Sequence, residues 1–209
     1  MGKTFKEFFA HFYIWLYIII AFSLWLYLAY QEAILKYWYL VFVLVFAPFY
    51  EWILHKYVLH AKGDKETEWK MKYMDRLHRD HHKEPKVIEL LFAPLSGGLF
   101  IPFSFFIIFF MFSQDTVISV YGAALSLTYY LYYEWIHLAH HIDEYKPITK
   151  RGKELKKAHQ WHHYKNENYW WGVTSSLGDR LFGTYPSPSE IKKSITVKDI
   201  TALPENYKE

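Results

Sequence analysis

The sequence predicts an all-α integral membrane protein: a four-helix transmembrane bundle with a cytosolic helical cap that carries a histidine-rich dimetal site. Three observations lead there. Four apolar stretches are long enough to cross a bilayer. All but Lys36 of the 24 Lys and Arg residues fall on one side of those stretches. Eleven of the 12 histidines fall into four tight clusters, on that same side.

The apolar stretches cover residues 8–30, 37–54, 90–112 and 116–136. The first has no small-residue cleavage site after a short apolar core, which reads as a retained anchor and not a removed signal peptide. The second holds one charge, Glu51, near its end. The third is interrupted by Pro94, Gly97, Gly98 and Pro102. That is either a kink whose backbone neighbours satisfy or a break that admits substrate. Very short loops join the first to the second and the third to the fourth, giving two antiparallel hairpins. The positive-inside rule makes the Lys/Arg-rich side cytoplasmic, with both termini there. Residues 1–185 read as one membrane-embedded domain and 186–209 as a peripheral cytosolic tail.

Composition excludes several classes. With no cysteine there is no disulfide, no thiolate-held iron–sulfur cluster and no Cys nucleophile. A net charge of +3 is too small to argue for nucleic acid. No G-x-G-x-x-G marks a flavin or nicotinamide site, so redox chemistry would need electrons from a separate protein.

The clusters are His55/His60, His78/His81/His82, His137/His140/His141 and His159/His162/His163, an H-x4-H pair and three H-x2-H-H blocks. Imidazole is a common ligand for iron, zinc and copper. Residues at i, i+3 and i+4 share a helix face, so each block is expected to aim three rings at one point. Helix-like runs over 66–82 and around 153–157 would carry the second and fourth clusters. All eleven histidines are expected ligands, enough for two metals with open positions. Glu134 stands in a Glu-x-x-His spacing with His137, as ligand or as an acceptor that orients a ring; Glu51, one turn before His55, invites the same reading. Asp143 and Asp179 are further outer-shell candidates. His11 reads as packing. Tyr169, Trp170 and Trp171 either line a substrate mouth or anchor at the interface. A transporter would place ionisable groups at broken helices near the midplane, whereas these apolar interiors lack them. A non-catalytic membrane protein is the other alternative.

Four segments carry a resemblance: E-W-I-L-H-K-Y-V-L-H from Glu51, L-H-R-D-H-H-K-E-P from Leu77, Y-E-W-I-H-L-A-H-H from Tyr133 and H-Q-W-H-H-Y-K-N-E from His159. With G-V-T-S-S-L-G-D-R-L-F-G-T-Y from Gly172, they make residues 51–185 resemble the fatty acid hydroxylase / sterol desaturase superfamily, in a short, bacterial-type form. The third box departs from the eukaryotic sphingolipid branch: only Leu138 and Ala139 precede the His pair, where that branch has three residues. The resemblance implies a multi-pass protein of the bacterial inner membrane using two iron ions, with zinc able to replace them on purification. It implies O2-dependent hydroxylation of a lipid C–H bond, with electrons from a ferredoxin or a haem cytochrome and its reductase. Desaturation, or a carotenoid- or sterol-type hydroxylation, on the same site is the alternative.

Overall fold

The computed structural model describes residues 2–61 and 67–200, and every regular element among them is helical. The chain begins with α1 (Gly2–Ala10), turns at an extended His11 and runs through α2 (Phe12–Tyr30). On α2 the residues Ile14, Tyr17, Ala21 and Leu28 are buried at helical spacing, while Phe12, Ile19, Phe22 and Leu26 are exposed. One stripe packs inward and the rest is apolar surface suited to lipid.

After the short α3 (Ala33–Lys36), the expected second span is not one straight helix. A 3-10 helix over Trp38–Val45 meets α4 (Ala47–Ile53) at a bend of 41°. Pro48 explains the break: it lacks an N–H and suits a helix start, so the chain restarts there. From α4 the chain widens into a π-helical turn, Leu54–Leu59.

The segment expected to form the cap begins with α5 (Glu68–Met74), which passes through a second π-helical turn, Asp75–Arg79, into α6 (Asp80–Lys83). The expected start of this run at residue 66 lies outside the described residues. Next come α7 (Ile88–Leu91) and α8 (Leu95–Ser113), separated at Phe92–Pro94. This interruption ends at Pro94, the first of the residues that mark the third stretch. Gly97, Gly98 and Pro102 stay inside α8. The glycines serve close packing: a Cβ on Gly98 would lie 2.1 Å from the Tyr17 hydroxyl, and one on Gly97 2.5 Å from Leu77 Cδ1.

The longest helix is α9 (Thr116–His141), opened by Asp115, whose carboxylate accepts the N–H groups of Val117 and Ile118. It packs along both α2 and α8. By length and apolarity, two described segments suffice to cross a membrane, Phe12–Tyr30 and Ile88–Ser113, or three if the bent pair Trp38–Val45 and Ala47–Leu59 is one span. The four-span count expected from the sequence is therefore not reached on this criterion. The physical reason is that the Tyr, Ser and Thr residues of α9 lower its apolarity, and much of the helix also faces protein. Among the residues it buries are Ser119, Gly122, Ala123, Ala124 and Ser126, small side chains that let helices approach.

Beyond it stand α10 (Lys150–Tyr164), capped by Thr149, and α11 (Leu177–Leu181). The tail is not peripheral over its described part. Val197 and Ile200 are buried, and the buried Glu167 accepts hydrogen bonds from the hydroxyls of Ser194 and Thr196. Residues 201–209 of that tail lie outside the described residues.

Candidate metal centre

Each histidine pair reaches a common focus for a local reason. In an α-helix, residues five apart lie about 140° round the axis, so H-x4-H would splay its rings. The π-helical turn removes that splay: His60 N–H donates to the His55 carbonyl, five residues back, at 3.1 Å. His78 sits in the second π-helical turn, four residues before His82. In α9 and α10 the i, i+4 pairs are His137/His141 and His159/His163, stacked one turn apart.

The rings assemble into two groups of five. His55, His60, His78, His82 and His162 form one; His81, His137, His141, His159 and His163 form the other. Within each group the ligand atoms lie within 4.8 Å of one another. The H-x2-H-H blocks do not act as units. Each i, i+4 pair stays together, while the middle histidines His81 and His162 cross to the opposite group. The i+3 and i+4 positions diverge by about 100° on a helix. One block therefore serves two foci, contrary to the expectation of one.

These contacts are not ordinary hydrogen bonds. His78 Nε2 meets the Nε2 atoms of His55, His60 and His82, each at 3.1 Å. One ring nitrogen has a single lone pair or proton and cannot serve three partners. In the second group, His137 and His81 meet through Nε2 at 3.1 Å, and His141 and His159 at 2.8 Å. A cation about 2.1 Å from each nitrogen would set neighbouring ligands about 3.0 Å apart and opposite ones about 4.2 Å apart. The observed spacing fits that requirement. Both ring nitrogens of His163 are buried without a partner, as a ligand awaiting an ion would be.

Orientation and charge agree. His55 Nδ1–H donates to the Trp171 carbonyl and His162 Nδ1–H to that of Tyr169, leaving Nε2 as the inward lone pair. In the cap, burial first, then neighbouring imidazoles, holds His81, His82 and His162 well below the usual histidine range. The rings are neutral at neutral pH, the form a metal requires.

A largely apolar cavity of about 330 Å³ adjoins both groups, with His55 and His78 of one and His137 of the other in its wall. Much of the remaining lining comes from the apolar helices, including Ala47, Leu54 and Ile101. The fatty acid hydroxylase family model matches residues 39–184, the interval that contains every one of these elements. The chain belongs to the fatty acid hydroxylase family. It is 32% identical over 147 residues to dihydroceramide fatty acyl 2-hydroxylase FAH1 of Arabidopsis thaliana, covering 69% of this chain and 59% of that one. It is 26% identical to the fatty acid 2-hydroxylase of Mus musculus, over 68% of this chain and 37% of the relative. Among solved structures, the visible hydroxylase domain of full-length Scs7p superposes with a TM-score of 0.70 at 26% identity, covering 84% of this chain and 66% of that one. The match thus spans about three fifths or less of these curated relatives' length.

The other residues singled out from this hydroxylase-family sequence lie as follows. His140 joins neither group. His11 also stands apart, its ring 4.2 Å from that of Phe92. Glu134 is buried in the cavity wall, with Oε2 unpartnered, and is in neither group. Glu51 orients no imidazole directly. Its Oε1 accepts the N–H groups of Val173 and Thr174, and its Oε2 the hydroxyls of Thr174 and Tyr129. Asp143 is 76% exposed and meets Lys86 at 3.7 Å, far too wet to steer a buried ring. Asp179 is fully buried, and burial pushes its carboxyl above the usual range. It accepts the N–H groups of Trp171 at 2.9 Å and Gly172 at 2.7 Å, and the Thr184 hydroxyl at 2.6 Å. Glu51 and Asp179 therefore clamp the backbone that presents the Trp171 carbonyl to His55. Trp170 and Trp171 are buried and are not among the residues that line the cavity. The carbonyls of Tyr169 and Trp171 were not foreseeable, because a backbone acceptor leaves no residue signature. Asp179→Ala is expected to cost about 2–6 kcal/mol by stranding two buried amides. Thermal unfolding in detergent checks this, and an unchanged midpoint would discount the clamp.

Proposed function

We propose that this chain is a membrane-bound lipid hydroxylase that inserts oxygen from O2 into a C–H bond of an acyl chain. The observation that carries this reading is the apolar cavity whose wall includes histidines of both groups. His55, His60, His78, His82 and His162 would hold one iron ion, and His81, His137, His141, His159 and His163 the second. Bound there, the ions would supply O2 activation, chemistry no side chain of this chain can perform. The chain's residues set the geometry: Trp171 and Tyr169 carbonyls fix ring orientation, and the cavity's apolar wall receives the acyl chain and excludes water. Electrons come from a separate ferredoxin, or a haem cytochrome with its reductase. The lysine distribution supports an orientation of the four spans with both termini and the metal centre on the cytoplasmic side, and the short form of the family supports a bacterial inner membrane. Isolated protein will carry iron, or zinc taken up on purification, since the same nitrogens bind both.

The test is lipid mass spectrometry of cells with and without the chain, supplied with O2 and a reductase system. A product heavier by one oxygen is expected. A loss of two hydrogens would replace hydroxylation with desaturation, and unchanged lipids in cells that accumulate metal-loaded protein would refute both.

A further inference from the structure

His140 has no place in either metal group, yet it is 4% exposed and its Nδ1 has no hydrogen-bond partner among the described residues. Its ring lines a second cavity, of about 410 Å³, between the C-terminal end of α9 and the N-terminus of α10. Arg151 and Thr149 line it as well. Arg151 donates one bond to Ser175 Oγ at 3.1 Å, and among the described residues no carboxylate stands within ion-pair distance of it. Of the lining residues on α10, Arg151 has an amide that precedes any intrahelical acceptor, so the positive end of that 15-residue helix stands at the cavity. Among the described residues no carboxylate lines the cavity. The nearby Asp143 and Glu144 are engaged with Lys86 and Lys3. Lys156 braces one wall, donating to the carbonyls of Ile142 and Tyr145.

A donor-rich cavity without acids selects an anion. Its surroundings select which kind. Ile148 is 81% exposed and Tyr132 50% exposed, both in the lining, so an apolar rim stands beside the polar groups. A free anion gains nothing from that rim, whereas an amphipathic molecule does. The end of α9 is also where the proposed membrane orientation puts the headgroup layer. We infer that the cavity formed by His140, Thr149 and Arg151 binds the phosphate of a membrane lipid headgroup, at a site separate from the cavity beside the histidine groups. It rests on the membrane placement proposed above but not on any turnover.

The experiment is a binding titration of the full chain, in phosphate-free detergent, with dihexanoyl phosphatidylglycerol, inorganic phosphate and dihexanoylglycerol. Saturable binding of the phospholipid alone is expected. Arg151→Ala should weaken it about tenfold or more, while Lys153→Ala, on an exposed position of the same helix, leaves it intact. Metal content should be equal in all three proteins, which separates this site from the metal centre. Equal affinity for inorganic phosphate would make it a free-anion site, and equal affinity for the phosphate-free lipid a mere greasy groove. Either result, or an Arg151→Ala protein that binds like the parent, overturns the inference.

Discussion

Alanine at His78 is expected to strip metal from the first histidine group and abolish product while the protein still inserts. His78 Nε2 is the atom that three other Nε2 atoms approach at 3.1 Å, so no ring in that group is more central. Its removal deletes a ligand and leaves space in a buried site. Outer-shell changes typically cost 10–100-fold in metal affinity. Losing a ligand should exceed about 100-fold on that scale. Insertion should survive because the apolar helices Phe12–Tyr30 and Ile88–Ser113 lie elsewhere in the chain. His140→Ala is the internal control, because that ring joins neither group and its loss should leave both metals in place. Metal analysis of the two purified variants decides the matter. Full metal in His78→Ala, or equal loss in His140→Ala, would show that the convergence of rings does not define the ligand set.

The contrast between His78 and His140 marks what the sequence can and cannot say. Helical spacing alone reveals that His137 and His141, or His159 and His163, share a face. It does not reveal that a block serves two foci, since that depends on how four helices cross. His55 and His60 form the harder case. Their spacing is wrong for an α-helix, and only a π-helical turn aligns them, a backbone choice no residue pattern announces. The break at Pro48 did have a signal in the proline, hidden by the apolar run around it. For α9 the misleading feature was the absence of charge over residues 116–133, because the Tyr, Ser and Thr residues among them leave the helix less apolar than the other stretches. In the tail, lysines and prolines suggested a solvated arm, yet Val197 and Ile200 are buried. Four aliphatic side chains, Ile191, Ile195, Val197 and Ile200, spread through a polar stretch are too weak a pattern to outweigh composition.

Acid should open the cap and release metal. Burial is the main cause that holds His78, His81, His82, His159, His162 and His163 well below the usual histidine range. In an unfolded cap the same rings would titrate near about 6.5. Between those limits the unfolded chain binds more protons than the folded one, so stability is complete above about pH 6.5 and falls as the pH drops below it. Each extra proton taken up on opening steepens the fall by about 1.4 kcal/mol per pH unit. Several rings would act together, because protonating one raises the cost of protonating the neighbour it touches. Metal adds a second proton-linked loss, since a protonated imidazole cannot ligate. The expected result, on stepping detergent-purified protein from pH 7.5 to 5, is metal release with protease cleavage in the cap. The apolar helices Phe12–Tyr30 and Ile88–Ser113 should stay protected, because their packing is mainly apolar, through residues such as Ile14, Tyr17, Leu91 and Phe92. Retention of metal and an uncleaved cap at pH 5 would mean that the rings are not held neutral against protonation, and that something other than imidazole nitrogen supplies the binding.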